Sequence, residues 1–152
     1  MSVESVRAYF AEKGRDYEIR EMGETTETVE KAAMALGVAP ELIAKTLAFT
    51  IKERSILVVT KGDARIDNGK FKRRFQSKAK MMSLDAVQEA TGHPVGGVCP
   101  FGLKEDMNIY LDETLKQFEK IYPAAGSRNS CIEITPQDLC AITGAEWVDV
   151  CK

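Results

Sequence analysis

The chain has 152 residues, enough for one domain with a core of its own, and 44% hydrophobic with 29% charged residues is ordinary for a globular protein. That composition excludes a disordered, collagen-like or coiled-coil chain, and no run of about 18 apolar residues is present to span a membrane. The net charge of −2 favours no class of partner, but its distribution does: residues 61–80 hold eight basic and two acidic side chains, net +6, which leaves −8 elsewhere.

The elements follow from periodicity and punctuation. Ser2 is expected to cap a first helix with Val3, Val6 and Phe10 inward, stopped at Gly14. Tyr17 and Ile19 alternate with charges, as in a short strand. Thr26 is expected to cap a second helix, with Val29, Ala32, Ala33 and Leu36 on one side and Gly37 after its end. Pro40 opens a turn ending near Ala44. Lys45 to Ile51 and Ser55 to Lys61 then read as a hairpin with a three-residue connection, Lys52-Glu53-Arg54. Asp67 caps a basic helix whose Phe71 and Phe75, four apart, face the core. Ser83 caps another, with Leu84, Val87 and Ala90 inward. Strands are expected at Asn108 to Leu111, Ile121 to Ala124, Cys131 to Ile134 and around Trp147, Val148 and Val150, with a helical turn at Leu115 to Glu119. Thr135-Pro136-Gln137-Asp138 combines a cap, a proline at the first position and an acid at the third, so a helix starts there and ends at Gly144.

Helices and strands are intermixed without steady βαβ alternation. The expected fold is α+β, one domain over residues 1–152: a mixed, mostly antiparallel, barrel-like sheet surrounded by helices. The start, Met1-Ser2-Val3-Glu4, lacks the basic and apolar regions of a signal peptide, which sets the expectation of a cytoplasmic protein. A single histidine, His93, excludes zinc sites built on two or three imidazoles. Cys99, Cys131, Cys140 and Cys151 are spaced 32, 9 and 11 apart, which excludes a C-x-x-C site. There is no G-x-G-x-x-G and no P-loop, so no metal and no cofactor are expected.

Thr91 to Gly102 packs four glycines and two prolines into twelve residues. Glycine lets backbone N–H groups approach a ligand closely, and proline stiffens the loop, so this segment suits an anion or oxyanion site as well as a plain connection. Cys99 and His93, six apart in it, raise a second possibility, a thiolate–imidazole pair in a Cys99-dependent hydrolase. No Asp or Asn nearby would orient the imidazole. The basic window suits phosphate groups or a solvated helix face.

Several of these residues together resemble the YbaK family. They are Ala44-Lys45-Thr46-Leu47, Gly92-His93 with Gly96-Gly97-Val98-Cys99-Pro100-Phe101-Gly102, Ala125-Gly126 before the Ile132 to Ile134 strand, and Arg65-Ile66-Asp67 leading into a basic helix. The resemblance runs from about Thr26 to Ile142. It implies trans-editing: hydrolysis of the ester joining a wrong amino acid to the 3′-terminal adenosine of a tRNA. It implies Lys45 and the Gly97 amide as the catalytic groups, and Thr46, Asp63, His93, Gly96, Val98, Cys99, Pro100 and Gly126 around the substrate. Arg65, Lys70, Lys72, Arg73, Arg74, Lys78 and Lys80 would hold tRNA phosphates. Mischarged tRNA is the implied partner, with an aminoacyl-tRNA synthetase a second one. Cys, Ala, Ser and Thr are the candidate amino acids, and tRNA(Pro) is among the candidate tRNAs. Gly126 stands where alanyl-specific relatives carry a histidine, and Ser127-Arg128-Asn129-Ser130 replaces a glycine-rich stretch. The chemistry fits the residues: an activated ester needs positioning and charge stabilisation more than a nucleophilic triad. The competing reading is a non-catalytic tRNA-binding module of the same fold.

Overall fold

In chain order the elements are α1 (Ser2–Glu12), β1 (Arg20–Glu21), α2 (Val29–Leu36), β2 (Ile43–Ile51), β3 (Arg54–Lys61), α3 (Asn68–Phe75), α4 (Leu84–Thr91), β4 (Asn108–Asp112), β5 (Tyr122–Pro123), β6 (Ser130–Cys131), α5 (Pro136–Thr143) and β7 (Glu146–Val148). Short 3₁₀ turns sit at Pro40–Leu42 and Glu113–Gln117. The structure is a computed structural model and describes residues 2–23 and 28–152.

The strand order of the main sheet is β5-β2-β3-β4-β7. Central β3 is a continuous apolar run because both its faces are covered: Ile56, Leu57, Val58 and Val59 are all 0% exposed. Val59 packs with Val6 and Phe10 of α1 and Leu139 of α5, whereas Ile56 and Val58 pack with Phe49 and with Phe71 and Phe75 of α3. The sheet is mixed, as expected. β2–β3 is antiparallel over eight residue pairs, and β2–β5, β3–β4 and β4–β7 are parallel. β1–β6 forms a separate antiparallel pair, and isolated antiparallel bridges join Ile121 to Ile134 and Ala124 to Cys131. The whole curls into a half-barrel.

Capping holds largely as the sequence predicts. The side chains of Asp67, Ser83 and Thr135 accept from the N–H groups of Lys70, Ala86 and Asp138. Four local expectations change. Thr26 lies outside the described residues, and Thr28 caps α2 by accepting from Lys31 N–H at 3.1 Å. The hairpin connection has two residues, because Ile51 pairs with Arg54. Lys52 and Glu53 adopt φ of 45° and 68°, the left-handed pair whose twist matches the flanking strands. Strand pairing after α1 falls at Arg20–Glu21, beyond Tyr17 and Ile19. Val150 lies past β7, buried, with its N–H donated to Asp112 Oδ1 at 2.8 Å.

Phe71 sits between Phe49 and Phe75, with ring centroids 4.9 and 4.7 Å away. Truncating it leaves a cavity beneath the sheet. Phe71→Ala is expected to lower unfolding free energy by about 3–5 kcal/mol, measured by urea denaturation.

Candidate active site at the edge of β2

Alanine is a poor strand former, yet β2 carries Ala44 and Ala48 among bulkier neighbours. The small side chains leave room. A cavity of about 230 Å³ opens along the outer edge of β2, toward α2, the start of α4, the 95–98 loop and the 122–131 segment. Its size suits a small ligand group rather than a whole nucleotide chain. Its walls are mostly apolar, and among the described residues Lys45 is the one lining residue that carries a charge.

Lys45 is half-buried, and its ammonium donates to the Ala64 carbonyl at 2.5 Å. Burial lowers its pKa from the ordinary lysine value; Cys151 and Asp63 oppose that shift only in part. The result is a cation whose charge is incompletely answered by protein, beside an apolar cavity. Such a group attracts an anion or a developing negative charge. Thr46, next in sequence, also lines the cavity, and its Oγ1 is buried without a hydrogen-bond partner among the described residues.

Gly96 and Val98 border the same cavity. The Gly97 amide, expected as a catalytic donor, is already committed: it donates to the Pro94 carbonyl at 2.9 Å. Gly97 instead serves close packing. Its carbonyl accepts from Gly126 N–H at 3.1 Å, and a Cβ there would stand 2.7 Å from the Ser127 nitrogen. Gly126 has φ of 100° and would meet the Ser2 carbonyl at 2.8 Å. These two residues join the loop to the 126–130 turn and to α1, away from the lining. The amides of Gly96 and Val98 hold no such bond among the described residues, which makes them candidate donors.

His93, Cys99 and Pro100 were expected around the substrate and lie in the core instead. His93 is fully buried. Its Nε2–H donates to the Phe101 carbonyl at 2.6 Å, and its Nδ1 accepts from the Ser2 hydroxyl, which is therefore spent on the imidazole rather than on a helix cap. Cys99 Sγ lies 3.5 Å from Nε2, but that nitrogen carries the proton given to Phe101 and has no lone pair to offer. Burial pushes the Cys99 thiol up to about 12. A thiol in that state is no nucleophile, which removes the Cys99-dependent hydrolase. Asp63 is exposed, 3.5 Å from Lys61 as an ion pair, and off the lining.

The basic window is divided. Lys70 pairs with Asp149 at 3.0 Å, and Arg74 pairs with Glu146 while lying over the rings of Phe75 and Tyr110. Arg65, Lys72, Arg73, Lys78 and Lys80 are exposed without an ion pair among the described residues. Sequence reasoning did not find the cavity's apolar wall. Leu84, read as inward, is 66% exposed at the rim beside Met81 at 60%. The two alanines of β2 were its only available signal. No three His, Cys, Asp or Glu side chains among the described residues cluster closely enough to hold a metal.

Two outcomes follow from this geometry. Cys99→Ala is expected to keep whatever activity the cavity has within about threefold, read in the same assay as the wild type, since the thiol faces the core. Burial holds the His93 pKa below its ordinary 6.5. The unfolded chain therefore takes up a proton that the native state refuses, and stability is lost as pH falls below about 6.5 toward the native pKa. Urea midpoints are expected to drop between pH 7 and 5.5 in the wild type and to be flatter in His93→Gln.

The model of the aminoacyl-tRNA editing domain matches residues 23–142. YwhH of Bacillus subtilis (strain 168), an uncharacterised protein, is 47% identical over 154 residues, 100% of this chain and 98% of that one. EbsC of Enterococcus faecalis, named as a candidate Cys-tRNA(Pro)/Cys-tRNA(Cys) deacylase, is 29% identical over 81% of this chain and 76% of its own. Proline–tRNA ligase of Bacillus licheniformis is 28% identical over 76% of this chain but only 21% of the ligase. A crystal structure of a candidate trans-editing enzyme for prolyl tRNA synthetase superposes with a TM-score of 0.92 at 30% identity, covering 99% of this chain and 97% of that one. The matched residues contain Lys45, the cavity-lining loop residues Val95, Gly96 and Val98, and all of β2, and the chain belongs to the aminoacyl-tRNA editing domain family.

Proposed function

We propose that this protein is a trans-acting deacylase that hydrolyses the ester between a wrong amino acid and the 3′-terminal adenosine of a tRNA. The observation that supports it most is the shared cavity of Lys45, Gly96 and Val98. In the reaction water adds to the acyl carbon, the bond from that carbon to the ribose oxygen breaks, and the ribose oxygen leaves with a proton as a hydroxyl. Negative charge develops on the carbonyl oxygen. The Gly96 and Val98 amides are the donors available to it, and the Lys45 ammonium stabilises that charge or holds the terminal phosphate. Because an aminoacyl ester is already activated, this positioning suffices without a nucleophilic side chain.

The exposed cations Arg65, Lys72, Arg73, Lys78 and Lys80 give the rest of the tRNA a phosphate-binding surface. Lys70 and Arg74 contribute less, since carboxylates already answer their charge. The narrow cavity favours small amino acids. Cys leads the panel through the name of EbsC, followed by Ala, Ser and Thr. An aminoacyl-tRNA synthetase that makes the error is the natural second partner.

The test is release of labelled amino acid from a panel of mischarged tRNAs, tRNA(Pro) among them. Lys45→Ala is expected to lower the rate by about 100-fold or more, the usual cost of one oxyanion-stabilising group. Equal rates in wild type and variant remove Lys45 from the mechanism. Salt-sensitive tRNA binding with no turnover on any member of the panel establishes the non-catalytic module instead.

A further inference from the structure

The outer edge of β2 is interrupted. Met82 N–H donates to the Ala48 carbonyl at 3.0 Å and Thr50 N–H to the Lys80 carbonyl at 2.9 Å, so at residues 48 and 50 the backbone points away from β3. Backbone direction alternates along a strand, so Ala44 and Thr46 point the same way. The ladder to β5 ends at the Ala44–Pro123 pair. Thr46 falls in the gap, with no strand or bridge partner on that side among the described residues. Its N–H and carbonyl therefore face the cavity. Unpaired N–H and carbonyl groups on a strand edge are a ready template for pairing with another chain.

The cavity also wraps round this edge. Ala44, Thr46 and Ala48 lie on one face of β2, and Ile43, Lys45 and Leu47 on the other; all six line it. The first face carries Ala48 with Val87 and Val98 packed around it, the second carries Ile43 against Val29 and Ala32 of α2. Among the described residues no aspartate or glutamate lines either side. A ligand amine there would, among the described residues, meet carbonyl dipoles rather than a carboxylate.

We infer that the aminoacyl group pairs with the open edge of β2 as a strand one residue long. Its α-ammonium donates to the Thr46 carbonyl, and its ester carbonyl accepts from Thr46 N–H. An aminoacyl ester offers the same donor–Cα–acceptor spacing as a strand residue, and opposed residues in a ladder share a face. An L side chain then enters the lobe of Ala48, Val87 and Val98, and a D side chain is turned toward the Lys45 face. The ligand class is a small L-α-aminoacyl ester with a free amino group. The inference rests on the deacylase reading and adds its recognition rule, with Ala48 as a determinant of acyl size.

The experiment compares tRNAs acylated chemically with L-alanine, D-alanine, L-threonine and L-lactate, using wild type and Ala48→Val. Wild type is expected to prefer L-alanyl over both D-alanyl and lactyl esters by about tenfold or more in kcat/KM, since the lactyl group keeps one donor where the ammonium has three. Ala48→Val is expected to reduce the threonyl-to-alanyl ratio by about tenfold, with its urea midpoint reporting on folding. Equal rates on L-alanyl, D-alanyl and lactyl esters overturn the inference while leaving the deacylase reading intact, and this arm needs no variant. If no ester is cleaved, the deacylase reading fails by itself. Calorimetric binding of the L- and D-alanyl amides of 3′-amino-3′-deoxyadenosine then decides the pairing: preference for the L form supports it, and equal or absent binding overturns it.

Discussion

The eight-pair antiparallel ladder between β2 and β3 is the constraint on which the site depends. β3 is buried on both faces, so it cannot move without exposing the core, and its register passes directly to β2. A slip of one residue would exchange every β2 side chain between faces. Lys45 would lose Ala64, and Thr46 would leave the face it shares with Ala48. The hairpin connection protects that register, since its two left-handed residues admit one pairing of the flanking strands.

The opposite wall is held by different means. The 93–102 loop has little regular structure, and its position rests on a buried imidazole, a turn and two close glycine contacts. His93 links the Phe101 carbonyl to Ser2, tying the loop to the first turn of α1. Gly97 and Gly126 bring two backbones together more closely than any side chain would allow. Residues that look reactive in sequence are thus spent on rigidity. That rigidity keeps Gly96 and Val98 facing a cavity that water alone would not shape.

The positive charges of the protein are of two kinds. Exposed cations on and around α3 act at long range and are screened by salt. Lys45 acts at short range, half out of water, where a charge interacts more strongly and where burial already disfavours its protonated form. Placing few polar groups in an apolar cavity concentrates recognition on main-chain donors and acceptors. Such groups read size, handedness and the presence of an amine better than they read side-chain chemistry.

Local rules in the sequence determined the helix starts at Asp67, Ser83 and Thr135, the hairpin, the inward phenylalanines of α3 and the mixed α+β class, because caps and periodicities act within a few residues. The residues of the Lys45-Thr46 segment and the glycine-rich loop were also legible, though not their division of labour. Only tertiary structure decided that Gly97 packs while Gly96 borders the cavity, and that His93 and Cys99 lie in the core. It alone showed that Asp149 and Glu146 answer Lys70 and Arg74, and that β2 has no strand or bridge partner on its outer side at Thr46 among the described residues. Each of these turns on which distant backbone or side chain arrives as a neighbour. Contacts such as Ser2 with His93, or Lys45 with Ala64, join positions that no local pattern relates.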